Sequence, residues 1–406
     1  MNATNTLFVL VSAALVMLMT PALGLFYGGM VQKKNVLGTI MHSFIILAVV
    51  SLEWVFWGYS LSFGPDIHGI IGGLSHLGLS GVGLAPNPHY GGTIPALAFM
   101  IFQCMFAVIT PALITGAFAE RIKFSAFLLF AILWATFVYN PLAHWVWGAG
   151  GWIHKLGALD FAGGTVIHIS SGASALAAVL VIGKRRGYGK TRYIPHNLPM
   201  TITGAALLWF GWFGFNAGSA LACDGLAVNA FITTHIAAST AALTWILVEW
   251  RHGGKPTTLG AASGAVAGLV AITPAAGFVG PLAAVAIGGV AGIICYYGVM
   301  VKSRFGYDDA LDVVGIHGLG GIWGALATGL FASRLINPGG ADGLFHGNPG
   351  LLVVQVVSVI AAIVFAFGMT VIILKVVDGL VGLRVTDEEE EMGLDITLHS
   401  ETGYTF

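Results

Sequence analysis

Eleven mostly apolar stretches, nearly free of charge, constrain this chain more than any other feature; they lie at about 6–32, 36–63, 93–119, 124–144, 161–183, 199–220, 226–250, 257–277, 281–301, 313–333 and 351–376. Each is near or above the roughly 20 residues that a helix needs to cross a bilayer. Of the 406 residues 57% are hydrophobic and 9% charged, against about 25% charged in soluble domains. The expected fold class is therefore an all-α integral membrane protein with eleven transmembrane helices. A net charge of -1 argues against the clustered basic face that nucleic acid requires. Cys104, Cys223 and Cys295 lie too far apart in sequence to suggest a disulfide framework or a metal site, and read as packing residues. The first run starts at Thr6 with no Lys or Arg before it, so it lacks the basic start of a secretory signal and reads as a retained span.

Short loops rich in Lys and Arg stay in the cytoplasm. With eleven spans, all of the 17 basic residues except Lys155 and Arg334 fall on one side. That places the N-terminus outside and the C-terminus in the cytoplasm. The eighth run carries Gly260, Gly264 and Gly268 on one helix face, a spacing expected to let a neighbouring helix approach closely.

Transporters are often built from two halves of inverted topology with the substrate path between them. Spans one to five and six to ten, about 6–183 and 199–333, form such a pair, followed by the span at 351–376. Residues 1–383 are expected to make one transmembrane domain and 384–406 a cytoplasmic tail. A sequence echo supports the halves: Asp160-Phe-Ala-Gly-Gly-Thr-Val-Ile-His168 opens the fifth span and Asp309-Ala-Leu-Asp-Val-Val-Gly-Ile-His317 the tenth. Ionisable groups within a span usually face a cavity or a partner. Two histidines at equivalent positions of a two-fold pair would meet at the centre. There they would stay neutral, one ring nitrogen donating and the other accepting, and could pass a proton between them. The alternatives are helix-locking bonds to backbone carbonyls, or a metal pair, which lacks carboxylates and cysteines at ligand spacing. His42, His144 and His235 have no echo in the other half and are expected to be satisfied interior groups. Glu53, inside the second span, is either neutral and hydrogen-bonded or a second proton site on the path.

The segment from Asp160 through Ile182-Gly-Lys-Arg closely resembles the signature of the ammonium transporter (Amt/Mep/Rh) family. Trp209-Phe-Gly-Trp-Phe-Gly-Phe-Asn-Ala-Gly-Ser219, Phe118-Ala-Glu-Arg-Ile-Lys-Phe-Ser125 and Gly24-Leu-Phe-Tyr-Gly-Gly29 are similar to further landmarks of it, and the likeness runs on to Glu391-Met-Gly-Leu-Asp395. The resemblance implies a prokaryotic ammonium channel in the cell (inner) membrane, a homotrimer without cofactor or metal and not an enzyme. It implies an outer recruitment site at Trp147, Ser219 and Phe106, and a gate of two stacked rings, Phe106 and Phe215. The same likeness implies a pore along Trp212, His168 and His317. Asp160, beside the outer mouth, reads as a helix cap rather than an ion ligand.

An intact cation pays a desolvation penalty of roughly several kcal/mol in an apolar pore, even after relaxation. Deprotonation at the gate is therefore expected, with neutral ammonia crossing and the proton following through the histidines. Asp387-Glu-Glu-Glu-Glu391 reads as a solvated charge run. Its following Gly-Leu-Asp resembles the family segment that helps dock the nitrogen-regulatory PII protein (GlnK). Competing readings are an electroneutral gas channel, an ammonium sensor, and an intramembrane hydrolase, which lacks a metal set and a nucleophile elbow.

Overall fold

Residues 1–405 are described by a computed structural model, in which the apolar runs fold as helices. These are α1 (Ala3–Met30), α2 (Lys33–Phe63), α3 (Ala96–Ile114), α4 (Phe124–Lys155), α5 (Gly164–Ile182), α6 (Leu198–Gly218), α7 (Gly225–Gly253), α8 (Thr258–Ile272), α9 (Pro281–Phe305), α10 (Val314–Phe331) and α11 (Pro349–Val381). Among the described residues ten of them are long and apolar enough to cross a membrane. The exception is α8. Its run was expected to continue to 277, but the helix ends after 15 residues at Ile272. Pro274 is the reason, because it has no N–H to continue the helical hydrogen-bond ladder; Thr273 before it still holds helical φ/ψ.

Helix ends follow their local chemistry. Asn197, Asp224, Thr257 and Asn348 cap the starts of α6, α7, α8 and α11 with side-chain oxygens. Gly254, Gly306 and Gly382 end α7, α9 and α11 at positive φ, where glycine meets no Cβ penalty.

The two expected halves cross each other. The first helices of each, α1 and α6, pack along their length, and the last, α5 and α10, cross in the core. Along α8, a Cβ on Gly260, Gly264 or Gly268 would fall within 2.6 Å of Glu249, Trp245 or Ala237, so this glycine face presses against α7 as the four-residue spacing predicts.

Charge separates by end. At the basic end Arg121 donates to the Gly183 and Asp308 carbonyls, and Arg185 bridges Glu120 and Asp308 at 2.7 Å each. Burial would raise the Asp308 carboxyl, but the bonds from Arg185 hold it below the usual carboxylate range. The tail packs onto the same end as two short helices, α12 (Asp387–Met392) and α13 (Leu394–His399). Instead of lying free in solvent as a charge run, Glu390 accepts from the Arg186 N–H and from Arg384. Glu391 pairs with Arg186, and Asp395 caps α2 through the Gly38 N–H at 2.9 Å. The opposite, far end carries Lys155 with two small antiparallel hairpins, Asp66–Ile67 with Ile71–Gly72 and Pro86–Asn87 with Tyr90–Pro95.

Candidate functional site

The core site is built by two matching helix starts. Both α5 and α10 open on a wide π-helical turn, Gly164–Ile169 and Val314–Gly318, and each turn carries one of the paired histidines. Such turns recur at functional positions because they redirect one side chain out of the regular helix. The aspartate eight residues ahead caps each turn. Asp160 accepts four backbone bonds, from Gly163, Gly164, Thr165 and Val166, at 2.6 to 3.1 Å. These are amides that a helix start otherwise leaves unpaired. Asp309 accepts from Val314 N at 2.7 Å.

The two turns bring His168 and His317 together. Their Nδ1 atoms are 3.2 Å apart with ring centroids at 5.3 Å. Both are buried, 1% and 4% exposed, so neither points at lipid. One Nδ1 must donate and the other accept, since two bare lone pairs would repel. His168 Nε2 has no protein partner. Trp212 stacks on His168 with centroids 5.5 Å apart, and its indole N–H is held by Thr273 Oγ1 at 2.9 Å. Apolar side chains complete the walls: Leu23, Leu113, Leu208 and Val266 line a narrow cavity of about 10 Å³ with Trp212, Phe215 and both histidines.

Toward the far end a wider depression of about 300 Å³ is lined by Phe106, Trp147, Asp160 and Ser219. The Phe106 and Phe215 rings stand between the two spaces, 4.4 Å apart at 34°. Trp147 meets Phe106 edge-on at 6.1 Å, and its indole N–H is tied to the Asp160 carbonyl at 2.9 Å. Ser219 donates its hydroxyl proton to the Phe215 carbonyl at 2.9 Å. Its oxygen lone pairs are thus the ones left to accept. The arrangement offers a cation two aromatic faces and a hydroxyl acceptor, then a greasy passage whose polar atoms are imidazole nitrogens.

All eight residues singled out from sequence therefore fall in one of two adjoining spaces. Thr273, which orients Trp212, escaped sequence reading, for its partner lies 61 residues away. Of the remaining groups, Glu53 lines neither space. It accepts through one oxygen from Asn140 at 2.8 Å and Thr136 at 3.2 Å, where further π-helical turns, Trp54–Gly58 and Ala135–Tyr139, face each other. His144 is buried with acceptors at both nitrogens, the Ser62 carbonyl and Asp66, each at 2.9 Å. That bond, helped by Gly69 N–H and Lys155, holds the Asp66 carboxyl below its usual range. His42 is buried against Phe127 at 4.3 Å. His235 corrects the expectation of an interior group. It sits on the exposed face of α7 with its ring tilted against Trp209, centroids 5.4 Å apart.

Known proteins resemble this chain along nearly its whole length. The profile of a family described as Ammonium Transporter Family matches residues 7–404. The chain is 57% identical over 405 residues to the "Ammonium transporter" of Bacillus subtilis (strain 168), covering 100% of this chain and 99% of that one. To "Ammonium transporter Amt1" of Archaeoglobus fulgidus it is 51% identical, with complete coverage of both. Among solved structures it is similar to Saccharomyces cerevisiae Mep2, with a TM-score of 0.90 at 37% identity over 96% of this chain and 89% of the other. It is also similar to a protein titled "Sensor Amt Protein", at 0.88 and 29% identity over 97% of each.

Proposed function

The chain belongs to the ammonium transporter family, and from that premise we propose that it conducts ammonium nitrogen across the cell membrane as ammonia plus a relayed proton. The basic end faces the cytoplasm, following the rule for Lys and Arg, and the far depression opens outward. There the cation meets the faces of Trp147 and Phe106, an attraction worth roughly 0.5 to 2 kcal/mol. The Ser219 oxygen accepts one of its protons.

Beyond that point the observation that carries the reading is the pair of buried imidazoles 3.2 Å apart in an apolar cavity. Neutral rings cannot repay the several kcal/mol, as an order of magnitude, that stripping a charged ion of water requires. The cation therefore releases its proton near the Phe106 and Phe215 gate, and ammonia passes along the histidines. The proton enters at His168 Nε2, the Nδ1 proton crosses to His317 Nδ1, and His317 releases its own Nε2 proton toward the cytoplasm. Each ring starts and ends neutral. Potassium has no proton to give up and is refused. The protein works as a homotrimer and is regulated by a PII-type protein docking near α12 and α13.

Ammonium uptake in a strain stripped of its own transporters tests the reading. Growth on limiting ammonium is the expected result. Signalling without uptake would point to the sensor role that the name of one structural relative gives it.

A further inference from the structure

Four residues beyond each histidine stands a glycine, Gly172 on α5 and Gly321 on α10. Each lies against the turn that carries the other helix's histidine. A Cβ on Gly172 would stand 2.2 Å from the Gly318 Cα and 2.4 Å from its nitrogen. On Gly321 it would stand 3.0 Å from the His168 Cβ and 3.1 Å from the Ile169 nitrogen. We infer that Gly172 and Gly321 are positioning residues: by two reciprocal contacts they hold the histidine turns at the separation where His168 and His317 share a hydrogen bond. The inference rests on the relay reading of this site.

The two contacts differ in stiffness. Gly172 meets backbone, which has nowhere to go, so an alanine there must drive the helices apart. Gly321 meets a side-chain methylene and one amide at distances only slightly too short, so an alanine is accommodated by a few tenths of an ångström. Gly318, at the same crossing, has ordinary room, since a Cβ added there would stand 3.6 Å from its nearest neighbour. Direct transfer between the rings needs hydrogen-bond reach, about 2.6 to 3.2 Å between heavy atoms, and the Nδ1 pair sits at the upper edge of it, 3.2 Å apart. A small expansion therefore breaks the proton step, whereas ammonia needs no bond between the rings. The specific consequence is a separation of the two fluxes.

The test uses full-length protein in liposomes, reading ammonia flux from internal pH and charge movement from the ammonium-driven current. Gly321→Ala is expected to lower the current at least about tenfold while ammonia flux stays within about threefold. Gly318→Ala should leave both within about twofold, and Gly172→Ala should lose current whether or not flux survives. A fall of current and flux by one common factor in Gly321→Ala, or no change in either, overturns the inference. Solid-state nitrogen NMR of isotope-labelled histidine gives a second readout: the shared-proton signal of the pair, assigned by its absence in His168→Ala, should vanish in Gly321→Ala and persist in Gly318→Ala. If wild type carries no current, the relay reading falls, and the spacing role is decided by this signal alone.

Discussion

Replacing Asp160 by asparagine separates a structural cap from a direct ion ligand. The carboxylate receives Gly163 and Gly164 on one oxygen and Thr165 and Val166 on the other. Asparagine keeps one acceptor and turns an NH2 toward two N–H donors. Two charge-assisted bonds are lost, each worth about 1.5 to 3 kcal/mol, so the change destabilises by roughly 3 to 6 kcal/mol before relaxation. At about 2 to 4 °C per kcal/mol, the apparent Tm should fall on the order of 10 °C. Because the same turn carries His168, and the Asp160 carbonyl holds the Trp147 indole, transport should drop as well. Thermal unfolding in detergent beside uptake kinetics reads both effects. An Asp160→Asn protein with an unchanged Tm and only a raised KM would refute the cap and make the aspartate an ion ligand.

Glu53→Gln keeps the shape and the acceptor oxygen used by Asn140 and Thr136; uptake should be unaltered and stability should move by less than about 1 kcal/mol, whereas a large loss of transport would place Glu53 on the path. Asp308 supplies the acid limit. Its carboxyl is held below the ordinary value in the folded protein, so its contribution is present above the unfolded pKa of about 3.9 and is lost as pH falls below that value. Asp308→Asn should flatten the acid side of a stability profile, and an unchanged profile would exclude the ion pair as its source. Truncation after Arg384 removes α12 and α13 with their contacts to Arg186 and Gly38; binding of a PII-type protein should weaken far more than Tm, and equal losses would make the tail a structural brace only.

The helices and the site were legible because hydrophobic length and the doubled Asp-x7-His spacing are local signals. The aspartates recur eight residues ahead because that distance lets a carboxylate reach the amides of the turn bearing the histidine. What stayed hidden depends on contacts that composition does not encode. The π-helical turns leave no compositional trace. The end of α8 turned on Pro274, which the apolar run of 257–277 passed over. His235 looked interior because its neighbours are apolar, yet which face of α7 meets the protein is fixed by helix packing. The role of Gly172 and Gly321 depends on which helix each one meets, and a single chain of residues does not encode that.

Whether the cation loses its proton before the histidines is decided most directly by currents from reconstituted liposomes challenged in turn with ammonium and potassium. Deprotonation with relay gives a current with ammonium, none with potassium, and loss of the ammonium current in His168→Ala. Rapid ammonia flux with no current in wild type, or a potassium current of similar size, contradicts it.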